Sequence, residues 1–402
     1  MKSIIVGPSH VVRWQHAVNS GLDYPFDSTV FIGLGGAPVW NKNVFDRLMK
    51  EYIPGDQVIL ILGDFRFGNR VLVQDKDLDG SFYPDILNIE KPLISDHNDL
   101  KLVNHSIENI KKWKVIFGES LVIIPWSLML RQAEDRFHGR YLEENAYSYP
   151  LYDVRELVLE IIPSAESDMD IFSGDLKNLR RLYIDKDLHP SSIGFEFIKN
   201  LVLKNNWVTA ADKAFKDFES NLDIFLKEKL ESKKGRNILI CGDSIALEIL
   251  IRILGEDNLK KLCDHGVRIE HKSFSNINLM LKEGDINDIL FVTKRNLFST
   301  DGYALLNFRE NFEVLKDKVR ILPWELMAGY VISKRHAALA KYDPGIVNIE
   351  NWIASVSLSP VLTKEFDSMD RYFDIGELLM PTVQGLFFII EVALSKKEPI
   401  HL

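Results

Sequence analysis

The chain repeats itself, and the repeat limits what it can fold into. Ser3-Ile-Ile-Val-Gly7-Pro8-Ser9 matches Asn237-Ile-Leu-Ile-Cys-Gly242-Asp243-Ser244. Val122-Ile-Ile-Pro125-Trp126 matches Arg320-Ile-Leu-Pro323-Trp324. His189-Pro190-Ser-Ser-Ile-Gly194 matches Met380-Pro381-Thr-Val-Gln-Gly385. Less closely, Val58-Ile-Leu-Ile-Leu-Gly63-Asp64 pairs with Asp288-Ile-Leu-Phe-Val-Thr293-Lys294. The segments keep their order in both halves, as a duplicated domain would. A length of 402 residues leaves room for two domains of ordinary size.

Each repeated segment has a local meaning. Ile4-Ile5-Val6, Val58 to Leu62 and Leu121 to Ile124 are short unbroken apolar runs. Such runs suit strands buried on both faces of a parallel sheet. Between them, Val44 to Tyr52 and Ser106 to Phe117 carry helical patterns, and a helix is expected to begin near Val11. Strands alternating with helices predict βαβ units, hence an α/β fold of tandem three-layer domains with parallel, flavodoxin-like sheets. Ala214, Phe218, Leu222 and Phe225 recur at helical spacing between the halves. This predicts a first domain over 1–205, a linker helix within 206–235 and a second domain over 236–402.

Composition excludes several classes. The formal net charge is -9, against the basic balance of a nucleic-acid binder. Cys241 and Cys263 form no CxxC pattern, and the histidines show no metal-ligand spacing, so neither a disulfide framework nor a metal is expected. Gly33-x-Gly35-Gly36 lacks the full dinucleotide fingerprint, and no Walker motif is present, so no cofactor is expected. The first apolar run is too short for a signal peptide, and Leu386 to Leu394 is too short to span a bilayer. The expected location is the cytoplasm.

Chemistry in a parallel sheet gathers at the carboxyl ends of its strands. Ser9 follows the first strand and precedes a helix, where its hydroxyl serves either as a helix cap or as a nucleophile. On the motif alone the cap is the simpler reading. Gly35 and Gly36 follow the second apolar run, where a glycine N–H can approach an oxyanion. Gly63, Asp64, Arg66 and Asn69 follow the third run. Asp185, Asp187 and His189 precede a late helix, where a histidine can act as base with an aspartate orienting it.

Together these blocks resemble the SGNH/GDSL hydrolase superfamily, over roughly all of the first domain. The resemblance implies Ser9 as nucleophile, His189 as base, Asp187 or Asp185 as orienter, and Gly35 or Gly36 as the oxyanion glycine. It also matches Gly63 to the third-block glycine and Asn69, loosely, to its asparagine. The chain departs from the pattern in having Pro8 in the serine turn and Lys186 three residues before His189. Such divergent copies are similar to SGNH-like domains of bacterial polysaccharide biosynthesis. The second domain keeps Gly242-Asp243-Ser244 but has Met380 where a base would stand, which reads as a non-catalytic copy.

The implied function is ester hydrolysis or O-acyl, particularly acetyl, transfer. The partners would be a carbohydrate or other small-molecule ester and, for transfer, an acyl donor. The alternative is a non-catalytic binding or assembly protein in a polysaccharide pathway, with both sites decayed. A third reading, a phosphate or nucleotide-sugar binder, would need Arg66, Lys294 and Arg295 to converge. Trp126 and Trp324 read as structural, with sugar stacking the lesser alternative.

Overall fold

The computed structural model describes residues 2–19, 22–35, 37–63, 96–126, 176–184, 189–204, 206–230, 235–242, 244–272, 285–292, 318–322, 324 and 381–395. Their contacts divide the chain into two units, 1–18 with 22–215 and 19–21 with 216–402. Each contains a four-stranded parallel sheet, so the chain is α/β as its apolar runs require.

In the first unit the strands are β1 (Ser3–Gly7), β2 (Thr29–Gly33), β3 (Gln57–Ile61) and β4 (Leu121–Ile124), in the order β2-β1-β3-β4. The helices between them are α1 (Ser9–Asn19), α2 (Lys42–Glu51) and α3 (Asp96–Phe117). All five residues of β1 are buried, which explains why its sequence is apolar without alternation. Ile5 pairs with Phe31 and Val6 with Leu60, so successive residues of β1 feed opposite faces. On the Phe31 side, Trp14 of α1 packs edge-on and in turn stacks on Phe195 at 5.5 Å. Phe195 lies on α5 (Ser192–Lys204), which follows the short helix α4 (Leu176–Arg181). On the Val6 and Leu60 side lie Val44 of α2 and Trp113 of α3.

The strand order reverses direction between β1 and β3. The chain leaves β1 toward β2 and then returns past β1 to form β3. Such a switch point opens a crevice at the carboxyl ends of the two strands, because the flanking loops leave in opposite directions.

The joining helix is α6 (Trp207–Leu230), and the division between units falls within it. In the second unit β5 (Ile238–Gly242), β6 (Val267–His271), β7 (Asp288–Val292) and β8 (Val319–Leu322) take the order β6-β5-β7-β8. Two helices are described there, α7 (Ile245–Asp264) and α8 (Val383–Leu394).

The two units share several hydrogen bonds at like places along their strands. Leu34 N–H donates to the Gly7 carbonyl at 3.3 Å, and Lys272 N–H donates to the Gly242 carbonyl at 3.0 Å. Ser3 N–H donates to Ser28 O, and Ile238 N–H to Gly266 O, both at 2.8 Å. A Cβ on Gly7 would sit 2.6 Å from Ile61 O, and one on Gly242 would sit 1.9 Å from Val292 O. The shared glycine is therefore a steric requirement, since the third strand's carbonyl occupies the side-chain position. The caps repeat too. Ser191 Oγ accepts from Gly194 N, and Thr382 Oγ1 from Gly385 N.

One match shifts by a residue. The registers set Ser3 against Gln57 and Ile238 against Asp288, so Gln57, not Val58, stands at the place of Asp288. The cause is polar. Asp288 opens β7 as a buried carboxylate, held by Arg236 and by Arg320, whose Nη2 lies 3.2 Å away. Arg320 also donates to the Val392 and Ala393 carbonyls at the end of α8, both at 2.6 Å. Burial draws the Arg320 guanidinium below its ordinary pKa, and Asp288 opposes that shift. The first unit has no such ion pair at this position, because Gln57 is neutral.

Candidate active site

The registers of the first sheet bring three loops to one level. Gly7 pairs with Gly33, and Ile61 follows the Val6–Leu60 pair. Ser9, Gly35 and Gly63 each lie two residues beyond these rungs, at the carboxyl edge. Ser9 opens α1, and Val11 N–H donates to the Pro8 carbonyl at 3.0 Å. This places Pro8, rather than Ser9, at the cap. The cap reading of Ser9 therefore gives way. Its hydroxyl turns outward from the helix and meets His189, with Oγ and Nε2 2.7 Å apart. The residues are 180 positions apart in the chain.

His189 is fixed through its backbone. Ile184 N–H donates to His189 O at 2.9 Å, Ser191 N–H donates to Leu182 O at 2.8 Å, and Tyr183 bridges Pro190 in antiparallel fashion. The Ser191 hydroxyl donates to Arg181 O at 2.6 Å while capping α5. This hairpin lies on α5 through Gly194, where a Cβ would meet Leu182 O at 2.2 Å and Trp126 Cη2 at 3.1 Å. Trp126 is fully buried and packs on Phe197, and its counterpart Trp324 is fully buried as well. Burial closes both rings to a sugar and leaves them their structural role.

A second histidine joins the pair. The His10 ring is buried and lies 4.8 Å, centroid to centroid, from the His189 ring. It also lies against Gly63, whose Cβ would stand 3.4 Å from His10 Cε1 and 2.9 Å from Pro8 Cγ. Gly63 is thus required for close packing behind the serine turn. Sequence reasoning passed over His10, though it adjoins Ser9; only its position in the first turn of α1 hinted at a place near the site.

Gly35 occupies an exposed turn in which Ala37 N–H donates to Leu34 O. A Cβ there would meet nothing within 4 Å, so packing does not demand glycine at this position. Gly36, Asp64, Arg66, Asn69, Asp185 and Asp187 lie outside the described residues, as do Lys294 and Arg295.

Beside the serine turn lies a small, mostly apolar cavity of about 20 Å³, room for a water-sized probe and partly open to solvent, against β1 and β3. Pro8, Gly63, Val44, Leu60 and Trp113 are among the residues that line it. Among the described residues no cluster of histidine, cysteine and carboxylate side chains could hold a metal ion. No described helix is long and apolar enough to cross a membrane.

The corresponding serine of the second unit is arranged differently. Ser244 is fully buried, and its Oγ accepts from Ala246 N at 3.2 Å as the cap of α7. Where β2 ends in Gly33, β6 ends in His271. Cys241, one residue before Gly242, has its thiol pushed up to about 12 by burial.

Compared with protein-family models, with curated proteins and with solved structures, the chain matches none.

Proposed function

We propose that the first unit is a serine ester hydrolase or O-acyltransferase of the SGNH type, acting on a carbohydrate or other small ester. The observation that carries this reading is the 2.7 Å contact of Ser9 Oγ with His189 Nε2 at the carboxyl edge of a parallel sheet. A nucleophile and a base within hydrogen-bond reach are the minimum that serine catalysis needs. Two tandem three-layer, flavodoxin-like domains of SGNH type fit the two sheets of one order.

In this mechanism Ser9 Oγ attacks the ester carbonyl carbon as its proton passes to His189 Nε2. The carbonyl oxygen becomes an oxyanion at the start of α1, where first-turn N–H groups lack intrahelical acceptors. The Ser9 N–H and a glycine N–H of the 35–36 turn are the donors assigned to it. The C–O bond to the alcohol then breaks, and the proton leaves His189 for the departing oxygen. Water, or a sugar hydroxyl in transfer, attacks the acyl-serine in the same way and frees Ser9. For Nε2 to accept, the ring proton must sit on Nδ1, where an aspartate orients it. Asp187 is assigned that role ahead of Asp185 on sequence grounds, because it lies two residues before His189 rather than four.

The second unit is assigned a non-catalytic role. Its serine is buried as a cap, and Met380 replaces the base.

The test is hydrolysis of a short acyl ester by the full chain. Ser9→Ala and His189→Ala should each lower kcat by about 10²–10⁴-fold, and the double variant little further. Asp187→Ala should cost more than Asp185→Ala. Folded Ser9→Ala protein with undiminished activity would refute the assignment.

A further inference from the structure

We propose that His10 is a positioning residue for His189: its buried ring lies against the face of the base and holds Nε2 toward Ser9 Oγ. The inference rests on the hydrolase reading and adds a residue to its site.

The base needs something to hold its plane. The hydrogen bonds of the hairpin fix the His189 backbone, but they leave the ring its two side-chain torsions, of which χ2 is broad. The 2.7 Å contact with Ser9 Oγ is a single point, about which the ring could still turn. His10 supplies a surface. The two rings stand 4.8 Å apart, centroid to centroid, with their planes 33° from parallel. Imidazoles this near and this nearly parallel meet by their faces, as in an offset stack. Turning His189 out of line would drive its edge into His10. His10 has no room to retreat, because it is buried and backs onto Gly63, where a Cβ would stand 3.4 Å from its Cε1. Ser9 and His10 are also consecutive residues in the first turn of α1, so one turn carries both the nucleophile and the support of its base. The aspartate assigned to Nδ1 acts at the edge of the His189 ring, and His10 acts at its face. No proton need pass to or from His10 in this role.

The experiment is fluorophosphonate labelling of Ser9 in the full chain, read as a rate and as a final stoichiometry. His10→Leu keeps the buried volume but removes the flat face, and His10→Phe keeps a flat face without the nitrogens. His10→Leu should label about tenfold or more slowly, because misplacing a reacting group by about 1 Å can cost about 10²-fold. Its final stoichiometry should remain that of wild type. His10→Phe should label at close to the wild-type rate. In hydrolysis of p-nitrophenyl acetate the loss in His10→Leu should fall on kcat and spare KM, since a base out of line slows the chemical step and not binding. A residue that only stabilises the fold would instead lower the stoichiometry or Tm and leave the rate per reactive serine unchanged, and that result overturns the proposal. So does a His10→Phe variant as slow as His10→Leu, which would assign the role to a nitrogen. Should His10→Leu fail to fold, His10→Met, unbranched and more adaptable, decides in its place. Wild-type protein that labels no faster than His189→Ala removes the hydrolase reading and this inference with it. Labelling that needs His189 but not His10 removes the positioning role alone.

Discussion

Gly194→Ala sets two effects of opposite sign against each other. Gly194 lies in the first turn of α5, where alanine is the better helix former by up to about 1 kcal/mol. Against that, the new methyl would stand 2.2 Å from Leu182 O and 3.0 Å from Pro190 Cβ. Relieving the first contact moves the carbonyl by about an ångström, enough to weaken the Ser191 N–H to Leu182 O bond, worth about 1 kcal/mol. Overpacking against Pro190 and Trp126 adds about 1–3 kcal/mol. The net expectation is a loss of about 1–3 kcal/mol, which lowers Tm by roughly 3–10 °C for a unit of this size. Thermal unfolding followed by circular dichroism reads the first effect, and kcat on a short ester reads the second. The bond at risk holds the hairpin that carries His189, so kcat should fall at temperatures where the variant remains folded. A variant more stable than wild type would show that helix propensity governs this turn, and that the hairpin is not seated on α5 as described.

Two further predictions concern the second unit. Ser244→Ala should leave ester hydrolysis intact and lower stability by about 1 kcal/mol, through loss of the α7 cap, as measured by denaturant unfolding. A loss of activity in folded protein would mean that the catalytic unit has been misassigned. Native protein should react with a thiol reagent at Cys263, which is exposed, while Cys241 stays protected by burial and by a thiol raised to about 12. Mass spectrometry of the labelled native chain should find one modified cysteine, and two would place Cys241 elsewhere than in β5.

The parallel sheets were legible because Ile4-Ile5-Val6 and Leu239-Ile240-Cys241 are buried on both faces, which leaves an apolar run without alternation. The helix boundaries were less so. α2 begins at Lys42 rather than Val44, because Asn41 Oδ1 accepts from Val44 N as its cap. α3 begins at Asp96, ten residues before Ser106, where the regular apolar spacing of the sequence starts. The strand order carries no local signal at all, as it depends on which way each crossover turns. Within the site, turn chemistry singles out Ser9 and His189, and the fold adds that their side chains meet. The same residue type in the same turn is a cap at Ser244 and a partner of histidine at Ser9. The role of His10 was not legible, since its ring gains meaning only beside Gly63 and His189.

The central claim is that Ser9 is a nucleophile activated by His189. Reaction with a fluorophosphonate tests it directly, because the reagent marks activated serines and requires no knowledge of the natural ester. Peptide mapping of the labelled full chain should place the adduct on Ser9 and not on Ser244. His189→Ala should slow the labelling by about 10²-fold or more, through loss of the general base. Labelling of Ser244 in preference to Ser9, or labelling of Ser9 at an unchanged rate in folded His189→Ala protein, would contradict the account.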